Sequence, residues 1–178
     1  MTASTPDNKA VNGTLGFTDK IGPERFYGEF EILVTRHDGK VERRTLRNIV
    51  TAAGLNRIAN RAVTATGTTP FYVLGVGTIT AAASLDSTNF GEVTNGRKAA
   101  STVVQSREWF ALTMTWAGNA DSLTGILLDS AAMLCHASSG QGAVANIVNA
   151  MSVTLGASDF LLLTARIRVG SHDLSHTT

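Results

Sequence analysis

Charge is what this chain has least of. Asp, Glu, Lys and Arg make up 16% of its 178 residues, against about 25% in ordinary soluble domains. Buried interface cores are depleted in charge, so a surface this rich in Ala, Ser and Thr suits a protein largely covered by neighbours. Cysteine is nearly absent as well. The single Cys135 excludes an intramolecular disulfide, fits a reducing compartment, and sits in an apolar stretch as an inert thiol rather than a nucleophile. No apolar run reaches the roughly 18 residues that a membrane span needs. The first nine residues lack a basic region followed by an apolar stretch, so they do not read as a signal peptide. These absences point to a water-soluble protein made in a cytoplasm, with no membrane partner.

What is present is strand. Residues 71–170 read as short β-strands, opened by Phe71-Tyr72-Val73-Leu74-Gly75-Val76-Gly77 and closed by Phe160 to Gly170. The expected strands lie near 71–77, 101–106, 108–116, 123–128, 132–137, 144–155 and 159–169. The loops between them are built from Ala, Ser, Thr, Asn and Gly. Enzymes place His, Asp, Glu, Cys or Lys on such loops; here they are almost bare of them, which argues for a scaffold that binds proteins rather than for a catalyst.

Ahead of this run, Phe26, Gly28, Phe30, Ile32 and Val34 alternate with Tyr27, Glu29, Glu31, Leu33 and Thr35, a period of two. Asp38-Gly39 makes a hairpin turn to a second strand at Val41–Leu46. Residues 48–63 read as the one helix, with Thr51 as its cap and Leu55, Ile58, Ala59, Ala62 and Val63 on one face. The chain thus divides into an extended N-terminal arm (1–25), one β-domain (26–170) and a C-terminal tail (171–178). The expected class is mainly β, an antiparallel β-sandwich or Greek-key domain with one helix.

The places where chemistry might reside reduce to structural readings. Gly75-Val76-Gly77-Thr78 follows a strand but lacks the third glycine and the helix of a dinucleotide fingerprint, so close backbone packing explains it better. His37 falls in the hairpin turn, His136 beside Cys135, and His172 and His176 in the tail; no metal site emerges. Asp129 and Asp159, near strand ends, are placed to accept loop amides, with no second acid close in sequence. Trp109 and Trp116 lie inside a strand pattern, where core packing is the simpler account than a sugar-stacking site. Arg36 to Arg61 is the most charged segment, yet the net charge is only +1 and no aromatic residues interleave to stack on bases. Salt bridges to an acidic neighbour, or a solvated face, are favoured there over nucleic acid. No cofactor, catalytic residue or small-molecule substrate is expected.

Laid in order, the pieces carry a resemblance. Asn48-Ile49-Val50-Thr51-Ala52-Ala53-Gly54-Leu55-Asn56-Arg57-Ile58-Ala59 resembles the N-(L/I)-V-T-x-x-G-L-x-x-I-A helix of small bacteriophage virion proteins of the tail-fibre, tail-tip and baseplate-associated group. Their following Y-x-x-x-G-x-G-T strand is similar to Tyr72–Thr78, which has one residue fewer before its first glycine. Asn89–Val93 with Arg97, Gly125–Asp129, Met133-Leu134 and Asp159–Val169 stand where the group has its later features. The chain departs at Leu123-Thr124-Gly125-Ile126-Leu127, where the acid and the aromatic of the group's E-x-G-(L/I)-F are missing.

The resemblance implies a non-enzymatic virion component, an oligomeric tail, neck or baseplate protein joined to copies of itself and to other virion proteins. A capsid decoration protein on the outer surface of the major capsid protein is the alternative. A carbohydrate-binding or enzymatic sandwich comes third. An extended arm of 25 residues spans tens of ångströms, at about 3.3 Å per residue, enough to lie across a neighbour. The interface candidates are Phe17 and Ile21 on the arm and Arg43, Arg44 and Arg47 on the second strand.

Overall fold

A computed structural model describes residues 26–63, 70–106 and 109–169. The expected arm, with Phe17 and Ile21, and the tail, with His172 and His176, lie outside the described residues. The elements in chain order are β1 (Phe26–Thr35), β2 (Val41–Val50), α1 (Ala52–Val63), β3 (Val73–Gly77), β4 (Glu92–Ala99), β5 (Thr102–Gln105), β6 (Trp109–Ala117), β7 (Leu127–Leu134), β8 (Val144–Thr154) and β9 (Phe160–Val169). The fold is mainly β with one helix, as the strand periodicity requires.

All nine strands belong to one antiparallel sheet, in the order β4-β3-β7-β8-β2-β1-β9-β6-β5. β2 is the strand that carries the curl. Its residues Val41–Asn48 pair with β1, whereas Ile49 and Val50 pair with Ile147 and Asn146 of β8. The two halves of the sheet therefore face one another across a shared core instead of forming two separate sheets. The outermost strands, β4 and β5, are consecutive in the chain. Only Ala100 and Ser101 join them; Ala100 N–H bonds Tyr72 O at 2.8 Å on one side and Ser101 N–H bonds Thr113 O at 2.9 Å on the other.

Alternation decides what enters the core. In β9, Leu161, Leu163, Ala165 and Ile167 are fully buried while Leu162, Thr164, Arg166 and Arg168 are half-buried on the opposite face. Phe30, Ile32 and Val34 of β1 and Leu112 and Trp116 of β6 complete that layer, and Leu74, Val76, Leu128, Met133 and Val148 face them from the other half. A second, smaller cluster of Val73, Phe90, Ala132, Leu134 and Ile147 lies under the loop that joins β3 to β4. Gly77 is required there, because a Cβ would stand 2.0 Å from Phe90 O. The Gly-Val-Gly stretch is thus a close-packed strand and not part of a dinucleotide site.

Three boundaries differ from the sequence reading. The helix begins at Ala52 rather than 48, because residues 48–50 are used in the sheet; Thr51 is nevertheless its cap, with Gly54 N–H donating to Thr51 Oγ1 at 3.0 Å. The strands expected at 123–128 and 132–137 are largely one, β7. Asp129 and Ser130 read as a break, yet both are buried with partners: Asp129 Oδ1 accepts from Ser152 N at 2.9 Å and Ser130 Oγ donates to Phe90 O. Finally, β4 occupies a stretch whose local pattern reads as loop. Its Asn95-Gly96 looks like a turn but forms a bulge inside an edge strand, with Asn95 at φ 59° and a register shift between Gly75 and Gly77 opposite.

Candidate functional site

The outward face of the β5-β6-β9-β1-β2 half is the surface to which the predicted arginines relate. β2 runs antiparallel to β1, so the side chains of Arg43 and Arg47 share a face with those of Leu33 and Glu29, while Arg44 shares a row with Ile32. The arginines are therefore split between the two faces of β2. Arg44 Nη1 donates to Met151 O at 3.0 Å and holds the irregular middle of β8, where Ala150 and Ser152 adopt φ of 65° and 49°. Arg43 is 70% exposed and its Nε donates to Glu31 Oε1 at 2.6 Å. Arg47 is exposed and has no ion pair among the described residues.

Pairing across strands explains why this segment is less basic than it reads. Counted along the sequence, Arg36, Lys40, Arg43, Arg44 and Arg47 face only Asp38 and Glu42. The fold adds Glu31 from β1 and Asp159 from the turn before β9. Arg36 bonds Glu42 through Nε at 3.0 Å and Asp159 through Nη1 at 2.9 Å. Asp159 also accepts Gly156 N at 2.8 Å and His37 N at 2.9 Å. The Gly156 amide, with Arg36 beside it, holds the Asp159 carboxyl below the usual carboxylate range. Arg36 does the same to Glu42 and is itself held above its ordinary value by these two acids, Glu42 foremost. The cluster ties the hairpin turn to the turn before β9.

Farther along the same outward face, Arg166 Nη1 contacts Glu29 and its guanidinium lies 5.1 Å from the centre of the Trp109 ring. Trp109 is therefore a half-buried surface residue, whereas Trp116 is in the core as the strand pattern implies. Thr113 and Thr164 hydroxyls bond across β6 and β9 at 3.1 Å. At the hairpin end the face becomes apolar: Val41 and Phe160 flank Thr35 and are 54% and 49% exposed. On this face both acids, Glu29 and Glu31, are spent on arginines, a threonine pair sits in the middle and apolar side chains lie at one end.

The remaining candidate groups serve the fold. Cys135 is buried and its Sγ accepts from Ala143 N at 3.1 Å. His136 is exposed beyond β7, not a strand residue, and its Nδ1 accepts from Ser138 N at 3.1 Å. Among the described residues no three His, Cys, Asp or Glu side chains converge as metal ligands. A cavity of about 360 Å³ lies between Arg47–Ile49, the loop residues Thr80, Ala82 and Ala83, and Ile147–Ala150. The amides of Asn48 and Asn149 at its wall are closed off from solvent and have no hydrogen-bond partner among the described residues.

The sheet edges are what sequence reasoning missed. β5 is exposed along all four residues, Thr102-Val103-Val104-Gln105, with Val103 at 58% and Val104 at 45%. The signal was present in two adjacent β-branched apolar residues without a charge, but edge position depends on strand order, which local pattern does not contain. No family model, curated protein or solved structure matches the chain.

Proposed function

We propose that this chain is a non-enzymatic structural protein of a bacteriophage virion, an oligomeric tail, neck or baseplate component that joins adjacent virion proteins. One observation carries the reading on the structural side. The polar side chains that are buried with partners, Thr51, Ser130, Asp129 and Asp159, are bonded to backbone, to the Ser152 hydroxyl or to Arg36. Apart from the enclosed amides of Asn48, Asn146 and Asn149, the uncommitted features among the described residues lie on the outside: a bare sheet edge, an apolar corner and Arg47. Such a distribution serves contact rather than turnover, because catalysis needs titratable groups converging on a concave site.

The pattern of Asn48–Ala59 and Tyr72–Thr78 supports the assignment to small virion proteins, and the 25 residues ahead of β1 supply a connecting segment. In closed rings each copy makes the same contacts, so modest individual interfaces add up through multivalency. Gold-labelled antibody against this chain, imaged by electron microscopy on purified particles, tests the reading. Label at the neck or tail end is expected. Label spread over the head would make it a capsid decoration protein, and particles without the protein by mass spectrometry would reject the virion assignment.

A further inference from the structure

A second, shorter alternation of apolar side chains lies ahead of β1. Val11, Leu15 and Phe17 occupy odd positions with Gly13 among them, Asn12, Thr14, Gly16 and Thr18 fill the even ones, and Asp19 ends the pattern before Ile21. A period of two is the signature of a strand with one apolar and one polar face. The sheet has an edge that such a strand fits. Ser106 N–H bonds Trp109 O at 2.7 Å, and antiparallel bonding alternates along a strand. Thr102 and Val104 consequently bond inward to β6, while the N–H and C=O groups of Val103 and Gln105 face outward.

We propose that residues 11–18 of one copy add to the β5 edge of a neighbouring copy as an antiparallel strand. The inference rests on the assembly reading above and names its acceptor. Side-chain complementarity supports it. Val103 is opposite Leu112 of the core and 58% exposed, so an added strand with Leu15 and Phe17 on that side extends the core row outward. On the other face Thr102, Thr113 and Thr164 form a threonine row, which Thr18 continues when Phe17 stands opposite Val103.

Geometry selects a neighbour over the same chain. Phe26 opens β1 at the same end of the sheet as Trp109 and Gln105. Four strand spacings, about 19 Å, separate β1 from a strand added outside β5, and about six extended residues cover that distance. An arm folding back within its own chain would then run parallel to β5, in a sheet whose named strands all pair antiparallel. Parallel pairing is the less stable pattern per residue. A neighbour's arm carries no such restriction. Two β5 edges pairing with each other would use only four residues from each copy, a shorter ladder than an arm strand offers.

The test places a photo-crosslinking amino acid at Val104 of the full chain and mixes isotope-labelled with unlabelled copies before irradiation. Crosslinks between labelled and unlabelled chains, mapping to residues 11–21, are expected. Crosslinks to 11–21 of the same chain, or from β5 to β5, would overturn the proposal by naming another occupant. An oligomer without arm crosslinks would also overturn it while leaving the assembly reading intact, and a monomer at every concentration would sink both. A second variant, Val103→Pro, removes an outward N–H from a position where an edge strand tolerates proline. Its circular dichroism and melting temperature should match the parent, with loss of the oligomer in sedimentation at concentrations where the parent is assembled. Retention of the oligomer would overturn the proposal.

Discussion

The two edges of the sheet are built in opposite ways. β4 is bulged at Asn95, and its Arg97 is only 5% exposed. That guanidinium bonds Glu92 through Nε at 2.9 Å and Nη2 at 2.7 Å, and through Nη1 the carbonyls of His136, Ser138 and Gln141 at 2.9, 2.7 and 2.7 Å. Lys98 next to it reaches Asp121 at 2.6 Å and Thr115 O at 3.3 Å, linking β4 to the far half of the sheet. β5 has no bulge, charge or proline. Proteins blunt an edge that must not pair, with bulges, charges or a covering loop. This protein applies a bulge and charges to one edge and neither to the other, the contrast on which the proposed docking at β5 rests.

Breaking the β4 clamp should have the largest effect. Arg97→Ala leaves the half-buried Glu92 without its cation and frees three carbonyls, and should cost about 3–5 kcal/mol in denaturant unfolding. A loss below about 1 kcal/mol would mean that burial of the pair does not hold this edge.

The clamp at the hairpin end is the next test, because it uses a carboxylate in the same way without guarding an edge. Asp159→Ala should cost about 2–3 kcal/mol near neutral pH, from charge-assisted bonds to Arg36 and two amides. The carboxyl of Asp159 is depressed in the folded chain. Its contribution is therefore complete above the unfolded value of about 4 and is lost as pH falls through the folded value. The stability gap between parent and variant should narrow in acid; a gap constant from pH 7 to pH 2 would contradict the ionic account.

Giving β5 the protection of β4 sharpens the comparison from the other side. Val104→Lys should change monomer stability by less than about 0.5 kcal/mol, as exposed substitutions do, while weakening self-association in sedimentation. Equal association of parent and variant would show that the open edge is not the contact. Among the ion pairs, the smallest effect belongs to the exposed pair of Arg43 and Glu31. Arg43→Ala should cost about 0–1 kcal/mol, diminishing with added salt, and a larger loss would move this pair into the class of Arg97.

Particular residues show how far local pattern reaches. The alternation in β1 and β9 is enough to assign Phe30, Ile32, Leu161 and Leu163 to the core, because side chains on a strand point alternately to its two faces. Thr51 as helix cap is legible for a similarly local reason: its hydroxyl and the Gly54 amide are three residues apart. The candidate site is legible only in part. Arg43, Arg44 and Arg47 read as one basic patch because they are close in sequence, yet β2 turns Arg44 to the opposite face and Glu31 arrives across the β1–β2 ladder.

By itself the sequence determined the class of the fold, the hairpin, the one helix and the core row of β1, since each depends on periodicity and short-range hydrogen bonding. Tertiary structure alone decided that the sheet is continuous through β2, that β4 and β5 are its edges, and which charges are spent on one another. Those outcomes depend on strand order, and strand order brings together residues such as Arg36 and Asp159 whose pairing no local pattern encodes.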